Sequence, residues 1–228
     1  MPETLISDEG IELGLKAITL DLRGESSVCE ECGEHWYTGH EQVCHGGPRD
    51  RVRRHDKVRD AITQALKRDG HSVEKEQYFQ PTTNRVRTDI TVTRFETVRS
   101  SQQPREEVHY DVSIVAPTGR NIRPKLHKVV VEVKNGTKQM IAFLHKEVLP
   151  EREKAKKIHY TAENNKAEVG VNRKEVVPLL MTSGGTIHKD MSTLLGSLRK
   201  RTRYYLQQRL SIILLEARRG LKWKTYIV

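Results

Sequence analysis

The feature that most constrains this chain is a series of extended runs enclosed by helical ones. RVRTDITVTRF (85–95), VHYDVSIVAP (108–117) and KVVVEVKNG (128–136) read as strands, and the last ends in the turn dipeptide Asn135-Gly136. HSVEKEQYF (71–79) alternates as a strand does, and EVVPLLMTS (175–183) reads as a short buried strand. Residues 50–69 carry Val52, Val58, Ile62 and Leu66 at helical spacing, with Gly70 as a stop signal. Residues 138–163 look helical, interrupted before or at Pro150. From Met191 to about Gly220 the pattern is helical again, with Leu194, Leu195, Leu198, Leu206, Leu210, Ile213 and Leu214 available for one or two apolar stripes. This order predicts an α/β fold, a mixed sheet flanked by helices.

The 228 residues suffice for one ordinary domain and a small appendage. The formal charge of +10 favours a polyanionic partner, most simply a nucleic acid. No apolar run approaches the ~18 residues of a membrane span. The start, MPETLISDEG, is acidic and lacks a signal-peptide core, so a nuclear or cytoplasmic location is expected. Two tryptophans and three phenylalanines make an aromatic platform for stacking bases a poor expectation.

All three cysteines fall within CEECGEHWYTGHEQVC (29–44). Cys29 and Cys32 are spaced C-x2-C, His40 follows, and Cys44 closes the set. Three thiolates and one imidazole suit tetrahedral zinc, and four protein ligands leave no open position, so the expected zinc site is structural. An odd number of cysteines argues against a disulfide framework. His35 and His45 are alternative nitrogen ligands. The segment PRDRVRRHDKVRDAI follows directly, so the knuckle would anchor a basic helix. Arg51, Arg53, Arg54, Lys57 and Arg59, with Arg199, Lys200, Arg201 and Arg203, are candidate phosphate contacts.

Asp89 and Asp111 interrupt two consecutive strand patterns. A buried carboxylate is costly unless it is paired or binds a metal. Two such oxygens on neighbouring strands suit magnesium or manganese, which leave room for water and a phosphate. Such an ion activates a water toward a phosphodiester, and a nearby lysine stabilises the developing charge. Alternation puts Asp111 with Ser113, and Glu132 with Lys134 as an E-x-K pair. The plain alternative is a wet strand face, for the two aspartates as for Glu132 and Lys134.

In order, C-x2-C-x7-H-x3-C, Gly-Gly, RHDKVRD, R-x-D-I, D-V-S-I-V-x-P and a lysine-rich helix ending in tyrosine resemble the C-terminal part of site-specific non-LTR retrotransposon polyproteins. There a zinc knuckle precedes a restriction-like endonuclease of the PD-(D/E)-x-K superfamily. The resemblance covers roughly residues 11–220. It implies a metal-dependent DNA endonuclease, with Asp89 and Asp111 as the first and second metal-binding acids. In that family the lysine expected two residues after the second acid moves to the following helix, a few residues before a tyrosine. Lys156, one turn before Tyr160, is the best match, with Lys154 and Lys157 as near alternatives. His55 is similar to a recurrent family histidine on the first nuclease helix, structural or DNA-positioning in role.

Thr88 replaces the proline usual before the first acid, and a long interval holding KVVVEVKNG separates Asp111 from the lysine helix. Two active centres follow: Asp89/Asp111/Lys156, which is preferred, and Asp111/Glu132/Lys134. The expected organisation is a lead-in and CCHC knuckle over 1–47, a restriction-like core over 48–190 and a helical tail over 191–228 packed on the core. DNA is the expected partner, with RNA and a reverse transcriptase polypeptide as further ones. A fragment, an isolated domain and a domesticated remnant that binds nucleic acid without cutting it all fit the chain.

Overall fold

The structure, a computed structural model, describes residues 48–77, 87–93, 107–116, 122, 142–165 and 175–216. The CCHC segment, the lead-in and the KVVVEVKNG run with Glu132 and Lys134 lie outside the described residues. The described part is mixed α/β. A four-stranded sheet of order β1-β2-β3-β4 carries helices. Among the described residues no helix is long and apolar enough to cross a membrane.

Helix α1 spans Pro48–Arg68. Proline suits a first turn, where its missing N–H would have no intrahelical acceptor. The helix ends at Gly70, whose φ of 95° is left-handed. There the His71 N–H returns to Leu66 O and the Gly70 N–H to Lys67 O, so two carbonyls at the helix end are satisfied. Strand β1 (Ser72–Lys75) follows, then β2 (Ile90–Thr93) and β3 (Glu107–Val115). These three pair antiparallel. Strand β4 (Val176–Thr182) joins β3 in parallel, with Asp111 beside Pro178. Pro178 is tolerated because β4 pairs on one side only among the described residues.

Between β3 and β4, a π-helical turn (Leu144–Val148) runs straight into helix α2 (Leu149–Asn165). Pro150 sits in the first turn of α2, and the interruption expected before or at it takes the form of the π-helical turn. After β4 a tight reversal brings Ile187 against Met181, with Gly185 left-handed at φ 94°. Helix α3 (Lys189–Ser197) starts with His188 as its N-cap, and helix α4 (Lys200–Glu216) follows. The single helical stretch expected from Met191 is thus two helices, divided at extended Leu198. Arg203 closes the end of α3 by donating to Gly196 O and Leu198 O.

One face of the sheet is apolar. Ile90, Val92, Tyr110, Val112, Leu179 and Met181 join Val58 and Ile62 of α1, Leu194 and Leu195 of α3, and Leu206, Leu210 and Leu214 of α4 in one buried cluster. The tail helix α4 therefore belongs to the main core. The opposite face of β3 presents His109, Asp111 and Ser113, all buried. Helix α2 brings Lys156 and Tyr160 to Asp111 on that face.

Candidate active site on the polar face of the sheet

Asp111 is only 5 % exposed, which excludes the wet-face reading for this residue. Its charge is met from α2. The Tyr160 hydroxyl donates to Oδ1 at 2.6 Å, and the Lys156 ammonium donates to the same oxygen at 3.1 Å. Lys156 also stands 2.9 Å from Oδ2, but off the direction of a hydrogen bond, so that buried oxygen is neutralised without being bonded. Burial comes first, then the Asp111 and Asp89 carboxylates, in pushing the Tyr160 phenol well above its ordinary range. Tyr160 therefore stays a proton donor, and it senses both acids.

Asp89 lies at the bend leading into β2 and brackets Asp111 along β3. Its backbone N–H donates to Tyr110 O at 3.0 Å, and its Oδ2 accepts the Val112 N–H at 2.7 Å. The side chain thus completes a sheet ladder that the bend would leave open. His55 of α1 completes the arrangement. Its Nε2 stands 3.2 Å from Asp89 Oδ2 and 3.1 Å from Val112 O, and its Nδ1 3.5 Å from Asp56 Oδ1. Only an imidazolium donates from both nitrogens. The hydrogen bond to Asp89 is the largest influence holding the His55 pKa above 6.5; burial opposes it, and the Asp89 charge, Asp56 and Val112 O assist.

Asp89 meets both His55 and Val112 through Oδ2, and Oδ1 takes no hydrogen bond among the described residues. Asp89 thus keeps one oxygen without a hydrogen bond, whereas both oxygens of Asp111 face the Lys156 ammonium. Of the three candidate lysines, Lys156 is the one that reaches Asp111. Lys154 is exposed, and Lys157 pairs with Glu153 at 2.6 Å. Ser113 is approached by Arg152 Nε at 3.4 Å.

The expected phosphate contacts separate by exposure. Arg53, Lys57, Lys200 and Arg201 are exposed, and Arg51 is half-buried. Arg54 is buried, and buried Arg59 is engaged by Asp56, Asp60 and Glu76, so both are withdrawn from that face. His55 turns inward to Asp89. Arg199 binds Asp69 and Arg68 O, tying the end of α1 to the α3–α4 junction. Arg203 serves as a helix cap.

Sequence reasoning missed Glu153, His188 and Asp190. Glu153 lies one turn before Lys156 on α2, and its Oε2 is 3.1 Å from His188 Nε2. The available signal was Glu153, Lys156 and Tyr160 at i, i+3 and i+7, one stripe of a helix. No protein-family model matches this chain, and no curated protein matches it either.

Proposed function

We propose that this protein is a divalent-metal-dependent DNA endonuclease with a restriction-endonuclease-like core. It nicks DNA by phosphodiester hydrolysis, in a reaction related to retrotransposon integration. The observation that carries the reading is buried Asp111, bound by Lys156 and Tyr160 and flanked by Asp89. Asp89 and Asp111 would hold Mg2+ or Mn2+, with the Lys156 ammonium turned off Asp111 Oδ2 to admit the ion. Such an ion, when bound, supplies a water acidic enough to attack at neutral pH and neutralises phosphate charge.

The chain's own residues do the rest. His55 and the Val112 N–H fix Asp89 through one oxygen and leave the other free. Tyr160 fixes Asp111 through Oδ1. The Lys156 side chain is about one-fifth exposed (21 %), so its ammonium can turn toward a phosphate oxygen and stabilise charge developing there. Arg53, Lys57, Lys200 and Arg201 would contact flanking phosphates. Cys29, Cys32, His40 and Cys44 would hold structural zinc.

The test is nicking of supercoiled DNA with Mg2+ by the wild type, Asp89→Asn, Asp111→Asn and Lys156→Met. Electrostatic stabilisation of several kcal/mol corresponds to a loss of at least ~10³-fold in each aspartate variant. Equal nicking by wild type and variants excludes this site. A second reading, a zinc-containing nucleic-acid-binding module without catalysis, is favoured by the closeness of Lys156 to Asp111, since such a pair is complete without a metal. DNA binding by a wild type that never nicks would select it.

A further inference from the structure

Helix α2 and strand β3 meet in step. Ser113 and Asp111 are two apart on β3, so they share a face and lie roughly 6–7 Å from each other along the strand. Arg152 and Lys156 are four apart on α2, a rise of about 6 Å on one helix face. The two repeats nearly coincide. Lys156 reaches Asp111, and one turn earlier Arg152 Nε donates to Ser113 Oγ at 3.4 Å.

The two pairs differ in charge. Half-buried Lys156 faces a carboxylate, whereas exposed Arg152 faces a neutral hydroxyl. Arg152 pairs with no carboxylate among the described residues, and its two terminal nitrogens have no partner there. A contact of 3.4 Å to a hydroxyl is weak, so it gives little return for holding a long side chain in one place. It does aim the guanidinium along the polar face beside Asp111. The unused edge is planar and permanently charged, and it matches two oxygens of a phosphate. Each strand of a duplex carries one phosphate per about 3.4 Å of helix axis, with a longer step along the strand itself. One turn of α2 is a step of that order.

We propose that Arg152 is a substrate-binding residue that grips the backbone phosphate next to the scissile one. Successive turns of α2 would then meet successive phosphates, Lys156 the reacting one and Arg152 its neighbour. The assignment rests on the nuclease reading and adds a footprint to it. A phosphate contact carries no sequence information, so Arg152 sets the register of the strand on Asp111 rather than the choice of target. The contact is the same before and during reaction, so it acts on KM and leaves kcat nearly unchanged.

The experiment has two arms. One is steady-state nicking of supercoiled DNA with Mg2+. The other is binding of a fluorescently labelled duplex over a range of KCl with Ca2+, a hard ion that occupies carboxylate sites. Arg152→Met is expected to raise KM about tenfold or more with kcat within about threefold, and to flatten the salt slope by ~0.9. Arg152→Lys keeps the charge without the fork, so it recovers the slope and only part of the KM. Ser113→Ala removes the hydrogen bond of Arg152 and keeps the slope. Unchanged KM and slope in Arg152→Met overturns the proposal. So does an equal loss in Ser113→Ala, which would make the guanidinium a support for β3, and so does a fall in kcat alone, which would move Arg152 to the reacting phosphate. A wild type that never nicks removes the nuclease reading and with it the scissile neighbour, whereas the slope decides separately whether Arg152 meets a phosphate. Circular dichroism checks the fold of each variant, and Arg152→Lys decides the matter if Arg152→Met fails to fold.

Discussion

The two faces of one sheet obey different physics. On the apolar face, Ile90, Val92, Tyr110, Val112, Leu179 and Met181 gain stability simply by leaving water, at roughly 25 cal/mol per Å2. On the other face, Asp111 and His109 are just as buried, yet burial costs each of them unless a partner is supplied. His109 finds the Thr91 hydroxyl at 2.9 Å, and Asp111 finds Lys156 and Tyr160. Alternation along β3 writes both faces into one nine-residue strand. Stability is thus concentrated where partners are interchangeable, and the candidate site lies where they are not.

The contrast breaks most sharply on paired substitutions. Asp111→Asn should abolish most nicking, by at least ~10³-fold, with the fold retained by circular dichroism. Leu179→Ala or Leu210→Ala, both fully buried, should act on stability instead, costing about 2–5 kcal/mol in a urea titration. If the leucine variants prove as stable as wild type, the apolar face is not the main core.

Tyr160→Phe removes one donor from a buried carboxylate and should cost about 1–3 kcal/mol, with fold retained by circular dichroism. An unchanged unfolding midpoint would mean that Lys156 alone satisfies Asp111.

The two perturbed histidines give opposite pH signatures. His55 has a raised folded pKa, so its stabilisation is full below 6.5 and fades as pH rises through the folded value. His188 has a lowered folded pKa, so the unfolded chain binds more protons and stability is lost as pH falls below 6.5. Melting against pH should therefore slope down above 6.5 in wild type and flatten there in His55→Gln. A variant that keeps the wild-type slope removes His55 from that role.

The smallest effect belongs to the surface. Joint replacement of exposed Arg53 and Lys57 by alanine should flatten the salt dependence of DNA binding, by a slope of ~0.9 for each phosphate no longer neutralised. An unchanged slope would move the interface elsewhere.

Helices and strands were legible wherever the period was clean. Val58, Ile62 and Leu66 repeat at helical spacing, and α1 ends at the glycine that its sequence predicts. The alternation of Val108, Tyr110, Val112 and Ile114 announced β3. The break between α3 and α4 was not legible, because Leu194, Leu198, Leu206 and Leu210 all reach the same core across it. Extended Leu198 is met by Arg203 reaching back to cap α3, an interaction that no local spacing encodes. Within the candidate site, the residue types Asp89, Asp111 and Lys156 could be named from the chain. The choice of Lys156 over Lys157 came from packing, because Lys157 turns to Glu153 on the same helix.

By itself the sequence determined the strand alternation of β3, the basic charge and the presence of one acid, Asp111, where a strand should be apolar, since these depend only on residue type and period; Asp89, expected within a strand, lies instead at the bend before β2. Tertiary structure alone decided that α2 brings Lys156 and Tyr160 to Asp111, that Asp89 spans Tyr110 and Val112, and that His188 meets Glu153. Those pairs are distant in the chain, 23 positions for Asp89 and Val112 and 45 for Asp111 and Lys156, and burial is what turns their proximity into a constraint on charge.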